Sequence, residues 1–433
     1  MRVAAALLVL TAASVALRSA ALGAGFWIDE AIAVGIASHD VREIPALLLQ
    51  DGSPPLYYLL LHGWMMLVGD GEAATRALSL VFAAAAVPAA WWAGGRWAAV
   101  IVAVCPFLTY YAQEARMYTL VAVLSVVATA AFIRQRPVIL IVALTLLLYT
   151  HTWGVFLFAG LVVAGLRRGR LAPLGVVAVL YVPWVPSLVS QALHTGAPWA
   201  LPPSILVLVP AALAVAWRPR DDLVLAAAAG LTLAWLVSQI TPAWSPRYLF
   251  VLLGPVLLVV ARRPAWAIAP LVGVMLLIGS PVTKSNARAV AVSAAQSIRP
   301  GDLVVVTQPE QVSVLHRYLP SGVVYLTPLG SPPDPSLTDW RNALPRLRAA
   351  SATRILLPRV RALEPGRRVV LVVPVAREAL SAWSRAVRRR TREWRAALRA
   401  ELRPIGATSH PDPERFRSTV RAELFEVPRG RGR

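Results

Sequence analysis

Charge is what this sequence has least of. Only 15% of its 433 residues are charged, against about 25% in ordinary soluble domains. Lysine is almost missing, Lys284 being the only one among 43 basic residues. That skew towards arginine, beside abundant Ala, Val, Leu and Pro, looks more like genome-wide base composition than selection for phosphate binding. No recognition motif accompanies the formal net charge of +21, which argues against a nucleic-acid partner. An anionic membrane surface or an acidic cell-wall polymer suits such a chain better. Cysteine is confined to Cys105, so there is no intramolecular disulfide, and no Cys/His spacing suits a metal. In its apolar stretch Cys105 reads as a small buried residue. Internal repeats and low-complexity linkers are missing as well.

What the chain does have is long apolar runs, 57% of its residues being hydrophobic. A spanning helix needs about 20 mostly apolar residues. Eleven candidate segments lie near 3–22, 74–95, 97–112, 117–133, 137–151, 153–166, 171–189, 203–217, 222–240, 247–261 and 265–281. With the N-terminus cytoplasmic, the inner connections hold Arg96, Arg134/Arg136, Arg167/Arg168/Arg170, Arg218/Arg220 and Arg262/Arg263. Loops poor in positive charge alternate with them, as the positive-inside rule requires. Trp92, Trp97 and Trp217 flank the inner loops, and Trp153, Trp184, Trp199 and Trp244 the outer ends. An odd number of spans in the plasma membrane places the C-terminal region outside the cytoplasm. A cleaved signal peptide is the rival reading of the first segment.

The expected organisation is a membrane domain, 1–281, followed by a small extracytoplasmic α/β domain, 282–433, which carries most of the positive charge. Apolar runs Leu303–Thr307, Val323–Thr327, Arg354–Leu357 and Val369–Val373 predict strands. Gln311–Tyr318, Trp340–Ala350 and Ala379–Leu402 predict helices, and the alternation predicts layers. Trp383, Val387, Trp394 and Leu398 give the last helix an apolar stripe among arginines. That stripe faces either its own domain or a membrane surface.

Charges at the bilayer centre cost roughly 2.5–3.5 kcal/mol on insertion scales, so the outer polar clusters of the membrane half need a reason. A long loop from Gly23 to Ala73 opens on Phe26-Trp27-Ile28-Asp29-Glu30. Adjacent carboxylates can bind a divalent cation or take a proton from a hydroxyl; a solvated acidic pair is the plainer alternative. Further along, Asp51-Gly52-Ser53-Pro54-Pro55-Leu56-Tyr57-Tyr58 starts an apolar run to Val68, too short to span, which reads as interfacial or re-entrant. His62 lies on it. The next outer turn is Tyr110-Tyr111-Ala112-Gln113-Glu114-Ala115-Arg116-Met117-Tyr118. On a helix Glu114 and Tyr118 would share a face, while Arg116 suits a phosphate and Glu114 a base or a metal. Tyr149-Thr150-His151-Thr152-Trp153 and Trp244-Ser245-Pro246-Arg247-Tyr248 complete the set. Arg247 stands at a span's outer end, where a lipid phosphate matches its guanidinium.

These clusters, in this order, resemble the polyprenyl-phosphate-sugar-dependent glycosyltransferases of the GT-C superfold. The likeness is to the bacterial set related to protein O-mannosyltransferases and the aminoarabinose transferase of lipid A, and it covers roughly 1–280. The resemblance implies a transferase that moves a sugar from a polyprenyl-phosphate donor to an extracytoplasmic hydroxyl acceptor by inverting displacement. It implies Asp29 as general base with Glu30 in support, and Glu114 and Arg116 near the donor phosphate or a metal. Tyr57, Tyr118, His151, Arg247 and Tyr248 would complete the donor and substrate site. Metal dependence varies within the superfold and stays open, with Asp29 and Glu114 as candidate ligands. A transporter or flippase would instead place charges inside its spans and show paired broken helices. A non-catalytic envelope assembly factor would be indifferent to loss of Asp29.

Overall fold

The computed structural model describes residues 2–195, 197–241, 243–263, 284–375, 379–408 and 418–429. The chain forms two compact units, one of residues 1–22, 40–193 and 200–281, the other of 23–39, 194–199 and 282–433.

The first unit is helical throughout its described residues. Glu72–Ala103, Ala172–His194 and Asp222–Ile240 are long and apolar enough to cross a membrane. Arg2–Arg18 and Gly154–Arg168 are helices as well. Shorter apolar helices cover Leu56–Val68, Tyr118–Ile133, Pro137–Thr150, Ile205–Trp217 and Pro246–Val260. The expected span at 265–281 lies outside the described residues. The expected segments 74–95 and 97–112 divide differently. Helix runs through both as far as Ala103, bent at Gly95, whose φ of 75° is open to glycine. Pro106–Ala112 then starts a helix of its own.

Packing in this unit relies on small residues rather than bulk. A Cβ on Gly160 would sit 2.1 Å from the Ala226 carbonyl oxygen, so Gly154–Arg168 and Asp222–Ile240 meet backbone to backbone. Such close crossings are how helices associate where lipid removes the hydrophobic drive. Outward-facing side chains are greasy, Leu67 being 80% and Ile240 85% exposed. Charge gathers at one end of these helices. Arg168 Nε lies 2.9 Å from Asp222, Arg262 pairs with Asp221, and Arg134 donates to the Ala93 carbonyl at 3.2 Å while stacking over Trp92. Asp221 and Asp222, next to the basic loop of Arg218 and Arg220, are therefore paired with arginines. A cavity of about 780 Å³ there is lined by Arg167, Arg218, Pro219, Arg220 and Asp221.

The second unit is built on a five-stranded sheet, ordered β2-β1-β3-β5-β4. Strands β1 (Leu303–Val306), β2 (Val324–Leu326) and β3 (Arg368–Pro374) are parallel. Strand β5 (Val420–Glu426) runs antiparallel to β3, and β4 (Arg403–Thr408) antiparallel to β5. One expectation is corrected here. Arg354–Leu357 is not a strand: Ala352–Leu356 winds as a π-turn into the Leu357–Arg361 helix. The reason is a spacing of four, which sends Ala352, Leu356 and Val360 into one core. The sequence reading also missed β4, which is exposed along nearly its whole length, and β5, where Arg421, Glu423 and Glu426 interrupt the apolar residues. The last helix, Ala382–Glu401, is capped by Ser381, whose hydroxyl accepts from the Ser384 amide. Its Trp394 and Leu398 pack with Leu303, Leu371 and Phe425, so the apolar stripe faces its own domain. Trp383 and Val387 join Trp340 in a second cluster. Trp199 meets Trp340 edge to face at 4.5 Å, so it packs on protein within this unit.

Candidate functional site

In the first unit the ordered clusters converge at the end of the helices away from the Arg168–Asp222 pair. Gln113 leaves the helical conformation after Pro106–Ala112, and its side chain links the Thr109 carbonyl, at 3.0 Å, to the Ala21 amide, at 2.9 Å. The chain from Gln113 to Met117 is therefore a turn, and Glu114 and Tyr118 do not share a helical face as expected. Glu114 is fully buried within it. Arg116 is held from behind, its carbonyl accepting from Ser79 Oγ at 3.0 Å. Its guanidinium donates to Tyr58 Oη at 3.4 Å, and Tyr58 donates to Asp51 at 3.1 Å. Tyr57, named in advance, meets Ser79 Oγ at 3.5 Å, one layer behind.

Tyr118 opens the Tyr118–Ile133 helix and sets the frame for the rest. Its ring lies 4.7 Å from Tyr111 and 5.9 Å from His151. His151, between two helices, accepts the Trp153 amide on Nδ1 at 3.1 Å, which leaves Nε2 to carry the proton of the neutral ring. Its ring is 5.0 Å from Tyr248. Arg247 completes the group, its guanidinium 5.8 Å from the Tyr118 centroid and 5.5 Å from Tyr248. The Pro246–Leu252 turn that carries it is pinned to the Tyr118–Ile133 helix. Ser125 Oγ donates to the Val251 carbonyl at 2.7 Å and accepts the Gly254 amide at 2.9 Å. A Cβ at Gly254 would fall 2.3 Å from the Ser125 carbonyl oxygen. Arg116 and Arg247 are both within electrostatic reach of His151. Guanidinium groups so placed among aromatic rings have the chemistry to meet an anion.

The second unit holds the two acids expected to do chemistry. Trp27 precedes the Ile28–Ala37 helix, and Glu30, its third residue, turns back to accept the Trp27 amide at 3.3 Å. Glu30 is fully buried. Asp29, one residue earlier, is half-buried. This helix packs on the Pro309–Gln311 turn and the Val312–Tyr318 helix. Tyr318 Oη accepts the Phe26 amide at 2.8 Å, and Arg317 lies over the Phe26 ring. At the far end His39 Nε2 meets Asp334 at 2.7 Å. Glu310 is the acid the sequence reading did not single out. It is buried, 5% exposed, with Oε1 accepting from Gln308 Nε2 at 2.8 Å and from Trp383 Nε1 at 2.9 Å. The available signal was a glutamate just past an apolar strand, in a region without a motif.

Among the described residues no three His, Cys, Asp or Glu side chains come together to hold a metal. Asp29 and Glu114 belong to different units.

The architecture is that of a helical membrane protein carrying a small α/β unit. It is similar in fold to ArnT from Cupriavidus metallidurans in the apo state, with a TM-score of 0.55 and 14% identity over 97% of each chain. ArnT from the same organism bound to undecaprenyl phosphate gives 0.45 and 15% identity, over 71% of this chain and 67% of that one. At such identities the likeness is one of fold. No family model and no curated protein matches the sequence.

Proposed function

We propose that this chain is a membrane glycosyltransferase that moves a sugar from a polyprenyl-phosphate donor to an extracytoplasmic hydroxyl acceptor. The observation that carries the reading is the convergence of Arg116, Tyr118, His151, Arg247 and Tyr248, scattered in sequence, into one aromatic-framed cationic seat. The GT-C-like order of these clusters and the ArnT-like fold support it. The membrane helices suit a donor that brings its own lipid, and no nucleotide-binding site is then needed.

In the reaction the acceptor oxygen attacks the anomeric carbon as the bond from that carbon to the phosphate oxygen breaks. The polyprenyl phosphate leaves with the bonding pair, and its charge is met by Arg247 and Arg116, which cannot lose theirs. By the family resemblance the hydroxyl proton goes to Asp29 as general base, and the anomeric configuration inverts. Tyr118, Tyr248 and His151 hold the sugar and phosphate in line. Eleven spans, a cytoplasmic N-terminus and an extracytoplasmic 282–433 belong to this reading. The test is transfer by the purified full chain in detergent from synthetic polyprenyl-phosphate pentoses and hexoses. Donor cleavage that depends on an added hydroxyl acceptor is expected, and no consumption of any donor would overturn the proposal.

A further inference from the structure

Between the helices Ile205–Trp217 and Asp222–Ile240 the chain makes a turn that no step of the proposed transfer uses. Pro219 cannot continue the first helix, which ends at Trp217. Asp221 starts the second by accepting the Leu223 amide at 3.0 Å. The Arg218 carbonyl accepts the Asp221 amide at 3.1 Å, which closes the turn. Asp222–Ile240 packs against both Gly154–Arg168 and Ile205–Trp217. Arg167, in the last turn of Gly154–Arg168, reaches across to donate to the Pro219 carbonyl at 3.4 Å. The cavity of about 780 Å³ lined by Arg167, Arg218, Pro219, Arg220 and Asp221 is thus fixed by three helix ends.

The acids here are matched by arginines outside the lining. Asp222 pairs with Arg168 at 2.9 Å and Asp221 with Arg262, while Arg218 stands 3.8 Å from Asp221. Arg167 and Arg220 are exposed and make no ion pair among the described residues. Positive charge is therefore in surplus, with Arg167, Arg168, Arg218, Arg220 and Arg262 set against Asp221 and Asp222. A concave site of one sign draws in the opposite charge, and guanidinium forks match phosphate oxygens. The flanks separate a lipid phosphate from a free one. Leu166, just before Arg167, is 63% exposed, and Leu213, one turn before Trp217, is 66% exposed. Trp217 is 62% exposed, with the Arg218 and Arg263 guanidinium groups 4.7 and 5.3 Å from its ring. Tryptophan among arginines beside exposed apolar helix marks a membrane interface, where phosphate heads meet acyl chains. We propose that this cavity binds the phosphate of an anionic phospholipid, its acyl chains lying along the Leu166 and Leu213 flanks. In the orientation given above this is the cytoplasmic leaflet. The site lies at the end of the helices away from Arg116 and Arg247, and its occupancy does not depend on sugar transfer.

Binding of phosphatidylglycerol with a fluorescent acyl chain to the full-length protein in neutral detergent is followed by anisotropy, and folding of each variant by thermal unfolding. Unlabelled phosphatidylglycerol should displace the label, and phosphatidylcholine and inorganic phosphate should do so at least about tenfold less well. A basic side chain near an anionic headgroup contributes about fivefold, so Arg220→Gln should weaken binding by that factor and Arg167→Gln with Arg220→Gln by roughly 25-fold. Arg96→Gln with Arg136→Gln removes the same charge from basic loops outside the cavity and should change binding by less than about twofold, such exposed charges being screened. Equal losses in the two pairs would reduce the effect to net charge and overturn the site, as would equal displacement by phosphatidylcholine. Displacement by inorganic phosphate as strong as by phosphatidylglycerol would overturn the lipid as the source of the phosphate. Arg247→Ala should leave binding intact. Loss of binding there, with binding retained in the Arg167 and Arg220 pair, would move the lipid to the other end of the helices and overturn the proposal.

Discussion

Arg247 is the residue whose removal should cost most at the donor phosphate. Its guanidinium is 5.8 Å from the Tyr118 centroid and 5.5 Å from that of Tyr248, and each cation–π contact is worth about 0.5–1 kcal/mol or more when desolvated. Those contacts orient the group, and in the proposed reaction it acts on the leaving phosphate. Removing one donor of this kind typically lowers kcat by about 10²–10³, or roughly 2.7–4 kcal/mol. Arg247→Ala should fall in that range, and Arg247→Lys should recover only part, because a point charge lacks the bidentate fork. Tyr118→Leu removes one of the two rings and should cost about two- to fivefold. Placed in the Arg247→Ala background it should cost less than that, since its contribution runs through the arginine. The assay is steady-state transfer from a synthetic polyprenyl-phosphate sugar, with folding checked by thermal unfolding. Near-normal turnover in Arg247→Ala, or fully additive losses in the double variant, would refute the argument.

Asp29→Asn should slow transfer by about 10²–10⁴-fold, the usual span of general-base assistance, with little change in donor binding; a near-normal rate removes Asp29 as the base. Cysteines placed at Ser190 and Ser351 should react with an impermeant thiol reagent on intact cells and one at Gly169 should not, and the reverse pattern would invert the orientation. Gly254→Val should destabilise the first unit, because a Cβ already falls 2.3 Å from the Ser125 carbonyl oxygen and backbone must shift; a cost of about 1–3 kcal/mol is typical of overpacking, and an unchanged melting temperature would contradict it. Burial raises Asp334, but Ser336 and His39 outweigh it and hold the carboxyl below its usual range. Its stability is therefore present above the ordinary carboxylate pKa and lost as pH falls through the lowered value, and Asp334→Asn should flatten that acid limb.

The helical architecture was legible because hydrophobic runs of spanning length are the least ambiguous signal a sequence carries. The parallel strands around Leu303, Val324 and Val369 were legible for the same reason, being buried apolar runs. Where the reading failed, local pattern and tertiary demand differ. Arg354–Leu357 has strand-like apolar content, but the pocket that takes Ala352, Leu356 and Val360 wants a spacing of four. β4 is exposed along nearly its whole length and so carries no buried apolar signal, and in β5 Arg421, Glu423 and Glu426 interrupt the apolar residues. Glu114 and Tyr118 were placed on one helix by spacing alone, and Gln113 breaks that helix by linking Thr109 and Ala21, a partner far away in sequence.

Arginine identity by itself carried little information, since 42 of the 43 basic residues are arginine; surroundings sort them. Arg18 and Arg76 are buried and spend their guanidinium groups on backbone carbonyls, Arg18 on Ala83 at 3.0 Å and Arg76 on Leu22 at 2.7 Å. Arg168 and Arg262 pair with Asp222 and Asp221 among the basic loops. Arg116 and Arg247 are half-buried, one on the Tyr58 hydroxyl and the other between Tyr118 and Tyr248. A leaving phosphate needs a cation whose charge never changes, whereas a base must change its protonation state on every turnover. Arginine meets the first demand at any pH, and in the proposed reaction the second falls to Asp29.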